Sequence, residues 1–234
     1  MSKYLANFAA QDFHLKEEQV LITGLPKHDV LRSEITGADI DSDTILLETL
    51  NKIKSTKPNK IILYGPTFRP DGSNPLNSIK LDVLDFFLKE KNLAMVITLH
   101  PKFSTKDWIP DKNWSNIYFS QNDRDTYPLL ENFDLLITDY SSLSMDFLYM
   151  DKPVVLFAPD LATFKKGMGV YDELWTLMPG PKAFNFEELL SILEGATTQP
   201  SEFRKKARET LFAFSDKNAS MRIVEQLTTK TEIK

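Results

Sequence analysis

A chain of 234 residues, 42% of them apolar, is long enough for one large domain with a sizeable core. It has no cysteine, which excludes disulfides, thiolate metal sites and thiol nucleophiles, and is compatible with a cytoplasmic protein. The formal net charge of −5 argues against a nucleic-acid partner, and no apolar run reaches the about 18 residues of a membrane span. The segment Met1–Phe8 has neither the continuous apolar stretch nor the small-residue cleavage site of a signal peptide.

In chain order, Val20–Thr23 reads as a short apolar strand. Asp43 is placed to cap a helix carrying Ile45, Leu46, Leu47 and Leu50. Ile61–Tyr64 is a second strand, stopped by Gly65-Pro66, and Leu81, Leu84, Phe87 and Leu88 recur at helical spacing. Ala94–Leu99 is a third strand, ended by His100-Pro101; Ile117–Phe119 is a fourth, followed by a short helix over Tyr127–Asn132. Leu135–Thr138 and its helix Leu143–Met150 come next, then a sixth strand at Val154–Phe157. Helical segments at Phe186–Leu193, Ser201–Phe214 and Asn218–Leu227 close the chain. Continuously apolar strands alternating with helices predict an α/β fold, a Rossmann-like parallel sheet with helices on both faces.

Candidate chemistry gathers where strands end. Gly65–Arg69 follows the second strand, His100 ends the third, and Asp139-Tyr140-Ser141-Ser142 follows the fifth. In a parallel sheet these carboxyl ends share one rim, the usual place for nucleotides and phosphates. That rim would hold a guanidinium fork, an imidazole and hydroxyls, a set suited to a pyrophosphate. A helix start after Ser141-Ser142 adds backbone donors. Each residue also has a plainer reading: Arg69 as a solvated loop arginine, His100 as a strand end, Asp139–Ser142 as a helix cap without a ligand. On a wet rim, removing Arg69 or His100 would change stability little. Asp139 and Asp146 have no third carboxylate in register, so no metal site is expected; Asp146 reads as a brace for a neighbouring loop. Arg204–Arg208 followed by Leu211–Phe214 fits either an anionic membrane surface or a solvated helix face with its aromatics in the core.

These segments, in order, resemble the carboxyl-terminal half of the CDP-glycerol glycerophosphotransferase family of teichoic-acid polymerases and primases. Thr23–Leu31 resembles the family's T-G-Y-P-R-N-D-x-L, with Lys27 in place of Arg and His28 in place of Asn. Ile62–Arg69 resembles its strand and A-P-T-[FW]-R loop, and Leu99–Pro101 its x-H-P. Asp134–Leu148 matches D-x-L-[IV]-[ST]-D-Y-S-S-x-x-x-D-[FY]-x closely. Lys152–Val155, Pro159-Asp160, Gly169–Asp172, Pro179–Pro181 and Asp216–Arg222 continue the series, with Lys217 where the family has glycine.

The resemblance implies one half of a GT-B fold, with residues 20–234 as the nucleotide-donor domain and 1–19 as a remnant helix of a preceding acceptor domain. It implies CDP-glycerol or a related CDP-alditol as donor, attacked at the β-phosphorus by an acceptor hydroxyl with loss of CMP, in teichoic-acid or capsule-type polymer synthesis. Thr67, Arg69, His100, Ser141 and Ser142 would contact the pyrophosphate, with His100 catalytic. Asp139, Asp146, Asp216, Ser220 and Arg222 would support the site. No cofactor or metal is implied. The partners would be a polyol-phosphate acceptor, held by the missing acceptor domain, and a peripheral contact with the inner face of the cell membrane. Two other functions fit the same rim: a noncatalytic nucleotide-binding module, and a sugar-nucleotide glycosyltransferase or 2-epimerase of GT-B fold.

Overall fold

The structure is a computed structural model that describes residues 2–31, 42–99, 112–120, 124–167, 169–170, 172–195 and 202–231. Six parallel strands form one sheet: β1 (Lys60–Tyr64), β2 (Leu93–Ile97), β3 (Ile117–Phe119), β4 (Leu135–Thr138), β5 (Val154–Phe157) and β6 (Lys182–Ala183). Their order is β3-β2-β1-β4-β5-β6. The chain therefore winds one way from β1 and resumes on its other side at β4. In register, Tyr64 lies beside Ile97 of β2 and Ile137 of β4.

The strands are apolar at nearly every position because both faces are covered. Ile61, Leu63, Val96, Leu136, Val154 and Leu156 face one layer. That layer contains α3 (Thr44–Ser55), α5 (Leu143–Tyr149) and α9 (Glu202–Leu211). Ile62, Met95, Ile97, Ile137, Val155 and Phe157 face the other, built from α4 (Leu81–Glu90) and α8 (Phe186–Gly195). Asp43 caps α3, its carboxylate accepting the Leu46 N–H at 2.8 Å. Among the described residues the other α-helices are α1 (Lys3–Asp12), α2 (Pro26–Val30), α6 (Leu161–Gly167), α7 (Asp172–Leu177) and α10 (Ala219–Thr231). Helix α1 packs against α9, and the start of α10 against α2.

The strand expected at Val20–Thr23 does not form; this segment is coil, half-buried up to the buried Thr23, and pairs with no strand among the described residues. Three apolar residues and a threonine carry no decisive periodicity. Strand β6 and helices α2, α6 and α7 were not expected, each being two to seven residues long. Gly180 sets the entry to β6. Its φ is +119°, and a Cβ there would lie 2.0 Å from the Val154 carbonyl oxygen, so only glycine lets this turn close against β5.

Candidate functional site

The reversal of strand order between β1 and β4 opens a crevice at their carboxyl ends. Two loops meet there, Gly65–Arg69 and Asp139–Ser142. They are joined by backbone: the Gly65 N–H donates to the Ile137 carbonyl at 3.0 Å, and the Thr138 hydroxyl to the Gly65 carbonyl at 2.6 Å. A Cβ on Gly65 would lie 3.0 Å from Leu143 Cδ2, so α5 packs closely against the first loop.

Asp139 ties the loops together. Its Oδ1 accepts the Thr67 N–H at 2.8 Å and the Tyr140 N–H at 2.6 Å, and its Oδ2 lies 2.7 Å from Arg69 Nη2. The arginine continues the lattice. Nε and Nη2 donate to Asp160 at 2.6 and 3.1 Å, and Nη1 donates to the Thr67 carbonyl at 2.6 Å. The Tyr140 hydroxyl donates to Asp160 at 2.9 Å, and its ring stacks on Phe164 at 3.8 Å. Burial and the hydrogen bond to Asp160 push the Tyr140 phenol upward, which keeps it a donor. Burial works against the charge on Arg69, but Asp139 first and then Asp160 more than offset it.

Beside this lattice lies a pocket of about 400 Å³. Thr67, Ser141 and Ser142 edge it, with Met145, Phe164 and Trp175 on its apolar wall. Three hydroxyls differ in what they already do. The Thr67 Oγ1 is buried with no hydrogen-bond partner among the described residues. Ser141 Oγ accepts the Leu143 N–H at 3.2 Å, whereas Ser142, at the cap position of α5, makes no capping bond. Of the two serines expected to cap the helix, only Ser141 does so among the described residues, and the exposed Ser142 hydroxyl is left to solvent or ligand.

Arg69 departs from the wet-rim expectation. Its side chain is 6% exposed and its donors are spent on two carboxylates and a carbonyl. Asp160 and Phe164 are not singled out by sequence reasoning, beyond the Pro159-Asp160 motif, and Tyr140 enters it only as part of the Asp139-Tyr140-Ser141-Ser142 block. His100, the expected catalytic imidazole, lies outside the described residues, as does Tyr171.

The remaining expected residues form a second cluster, around segment 23–29, and do not line the pocket. Asp146, on α5, is buried and takes Lys27 Nζ at 2.7 Å on Oδ1. His28 Nε2 lies 2.9 Å from the same oxygen, and the Tyr127 hydroxyl donates to it at 3.1 Å. Asp146 thus ties α5 to α2 and to Tyr127, rather than to a loop. His28 stacks on Tyr149 at 4.0 Å, and the Tyr149 hydroxyl donates to the Asp216 carbonyl at 2.6 Å. Asp29 caps α10 by accepting the Ala219 and Ser220 N–H groups at 3.0 and 2.8 Å. Arg222 forks onto the Asp216 carboxylate at 2.8 and 2.7 Å and donates through Nε to the Thr23 carbonyl at 2.9 Å. Asp139 and Asp146 thus belong to different clusters.

The basic run on α9 also divides. Arg204 and Arg208 pair with Asp151 at 2.9 and 3.4 Å, and Ala207 and Leu211 enter the core. Among the described residues no helix is long and apolar enough to cross a membrane.

A family model described as CDP-Glycerol:Poly(glycerophosphate) glycerophosphotransferase matches residues 1–229. The chain is 28% identical over 224 residues to the teichoic acid ribitol-phosphate polymerase TarL of Staphylococcus aureus, covering 94% of this chain and 39% of that protein. It is 29% identical over 198 residues to a teichoic acid glycerol-phosphate primase of Bacillus subtilis, covering 82% of this chain and 47% of that protein. It therefore spans less than half the length of these two relatives. Among solved structures, a variant of the wall teichoic acid polymerase TagF soaked with CDPG superposes with a TM-score of 0.70 at 24% identity, covering 99% of this chain and 57% of that one. A UDP-N-acetylglucosamine 2-epimerase from Listeria monocytogenes, described as putative, gives 0.58 at 16%, covering 96% of this chain and 57% of that one. These likenesses establish an α/β Rossmann-like fold of the GT-B type, and the match over residues 1–229 places the chain in the CDP-glycerol:poly(glycerophosphate) glycerophosphotransferase family.

Proposed function

We propose that this chain is the donor-binding half of a CDP-glycerol or related CDP-alditol glycerophosphotransferase of teichoic-acid or capsule-type polymer synthesis. The observation that carries the reading is the meeting of the Thr67 and Ser141-Ser142 hydroxyls at the β1/β4 crevice, with Thr67 Oγ1 buried and unspent. Thr67, Ser141 and Ser142 would donate to the pyrophosphate. His100 would contact it and carry the catalytic role, protonating or hydrogen-bonding the departing phosphate. Arg69 acts as a positioning residue: with Asp139 and Asp160 it fixes both loops before the ligand arrives. Fixed donors of this kind stabilise charge on phosphoryl oxygens without reorganising.

In the proposed reaction an acceptor hydroxyl oxygen forms a bond to the β-phosphorus. The bond from that phosphorus to the bridging oxygen breaks, and CMP leaves with the electron pair. The hydroxyl proton goes to a base on the acceptor-binding part, which belongs to the length that the relatives have and these residues do not match. A peripheral membrane contact belongs to the same proposal; exposed Lys205, Lys206 and Phe203 on α9 support it.

Calorimetry tests the donor class. CDP-glycerol and CMP are expected to bind more tightly than UDP and UDP-sugars. Equal or tighter binding of UDP would overturn the cytidine assignment and favour the 2-epimerase-like reading.

A further inference from the structure

Beyond the hydroxyls of the two phosphate loops, the pocket runs toward the β5 side of the sheet. Leu156 of β5, Phe164 of α6 and Trp175 of α7 line it. The strand order puts β5 and β2 on opposite sides of β1. In the proposed reaction His100, which follows β2 in the sequence, meets the departing phosphate, so the CMP end of the donor belongs toward β2. A donor whose pyrophosphate lies between the β1 and β4 loops then carries its alditol toward β5, into the pocket.

The wall of this pocket suits a neutral group with C–H faces. The Tyr140 ring stacks on Phe164 at 3.8 Å, and the Trp175 ring lies 5.7 Å from Tyr140. Cations outside the lining hold these rings. The Arg69 guanidinium is 5.3 Å from the Tyr140 and Phe164 centroids, and the Lys182 ammonium is 5.7 Å from that of Trp175. The wall is therefore set before a ligand enters. The one carboxylate among the described lining residues, Asp139, is spent on Arg69 and on two backbone N–H groups. The carbon-bound hydrogens of an alditol can pack on such rings and bury apolar surface. Its hydroxyls need partners that donate or accept as required, and serine hydroxyls do both. Ser144 lines the pocket, and its hydroxyl donates to the Ser141 carbonyl at 2.8 Å, which leaves its lone pairs to accept.

We infer that this pocket is the alditol subsite of the donor. Trp175 is a specificity-determining residue whose ring packs on the alditol carbons, and Ser144 accepts a hydrogen bond from an alditol hydroxyl. The inference rests on the proposed donor reading and adds to it where the transferred group lies.

Calorimetry compares wild type with Trp175→Leu and Trp175→Phe, each titrated with CMP, CDP, CDP-glycerol and CDP-ribitol. Trp175→Leu should weaken the CDP-alditol that wild type prefers by about fourfold to fifteenfold, the worth of one or two buried CH2 groups, and leave CMP and CDP unchanged. Trp175→Phe keeps an aromatic face and should lose less. Unchanged CMP affinity also shows that the variant is folded. Where Trp175→Leu does not fold, fluorescence decides: wild-type emission less that of Trp175→Phe isolates the Trp175 signal, which the CDP-alditol should shift and CMP should not. Equal losses for CMP and the CDP-alditol, or a Trp175 signal that answers CMP alike, would put the nucleoside in this pocket. No loss for any ligand would take the donor out of it. Either result overturns the inference and leaves the donor reading standing. Wild type that binds none of the four ligands overturns both.

Discussion

Asp160 receives the Arg69 Nε–H at 2.6 Å across 91 residues of sequence, and so locks the loop after β1 to the loop after β5. Removing the arginine strands Asp139, whose side chain is 1% exposed. Arg69→Met should therefore destabilise the chain by about 3–5 kcal/mol, the range for breaking a buried pair from one side. Asp160→Asn should cost less, because the Asp160 side chain is 34% exposed. Urea unfolding measures both; an Arg69→Met midpoint equal to wild type would show that the lattice carries no stability.

Asp29 contributes to the acid limb of stability. Burial raises its pKa, but the backbone N–H groups of Ser220 and Ala219, the Ser220 hydroxyl and Arg222 together outweigh it, and the net shift is downward from 3.8. A carboxylate depressed in the folded state contributes stability that is full above its unfolded pKa and lost as the pH falls through its folded value. Asp29→Asn should be less stable than wild type at pH 7, with the difference closing below about pH 4. Melting temperatures from pH 7 to pH 2 decide it; a constant difference across that range would remove Asp29 from the acid response.

Gly180→Ala should abolish folding or cost many degrees of melting temperature. The new Cβ would meet the Val154 carbonyl oxygen at 2.0 Å, backbone against backbone, at a φ of +119°. Gly72, with φ +75° and open space around it, is the control: alanine there meets only the φ penalty. Similar melting curves for the two variants would contradict the close approach.

Transfer is expected to need more than these residues. The chain corresponds to 39% of TarL, and in-line positioning of an acceptor hydroxyl can be worth ~7–11 kcal/mol of barrier. Purified chain with labelled CDP-glycerol and a glycerol-phosphate primer should release CMP slowly at most. Efficient primer extension without a partner would show that the acceptor is held here.

The sequence by itself determined the layered sheet and the rim. Ile61–Tyr64, Leu135–Ile137 and Val154–Phe157 are apolar at every position, as befits strands covered on both faces. Thr67 and Ser141-Ser142 follow from where those strands stop. His100 rests on sequence alone. The tertiary structure decided which charges face water and which face each other. Arg69 reads as a solvated loop arginine until Asp139 and Asp160, 70 and 91 residues away, are brought within 2.7 Å. Sequence places Ser220 and Arg222 near the donor; only the fold shows that the Ser220 N–H goes to Asp29 and the Arg222 Nε–H to the Thr23 carbonyl. A sequence shows which groups can ionise or donate. Whether a group is spent depends on desolvation and on partners far along the chain, and both are set only when the sheet brings the loops together.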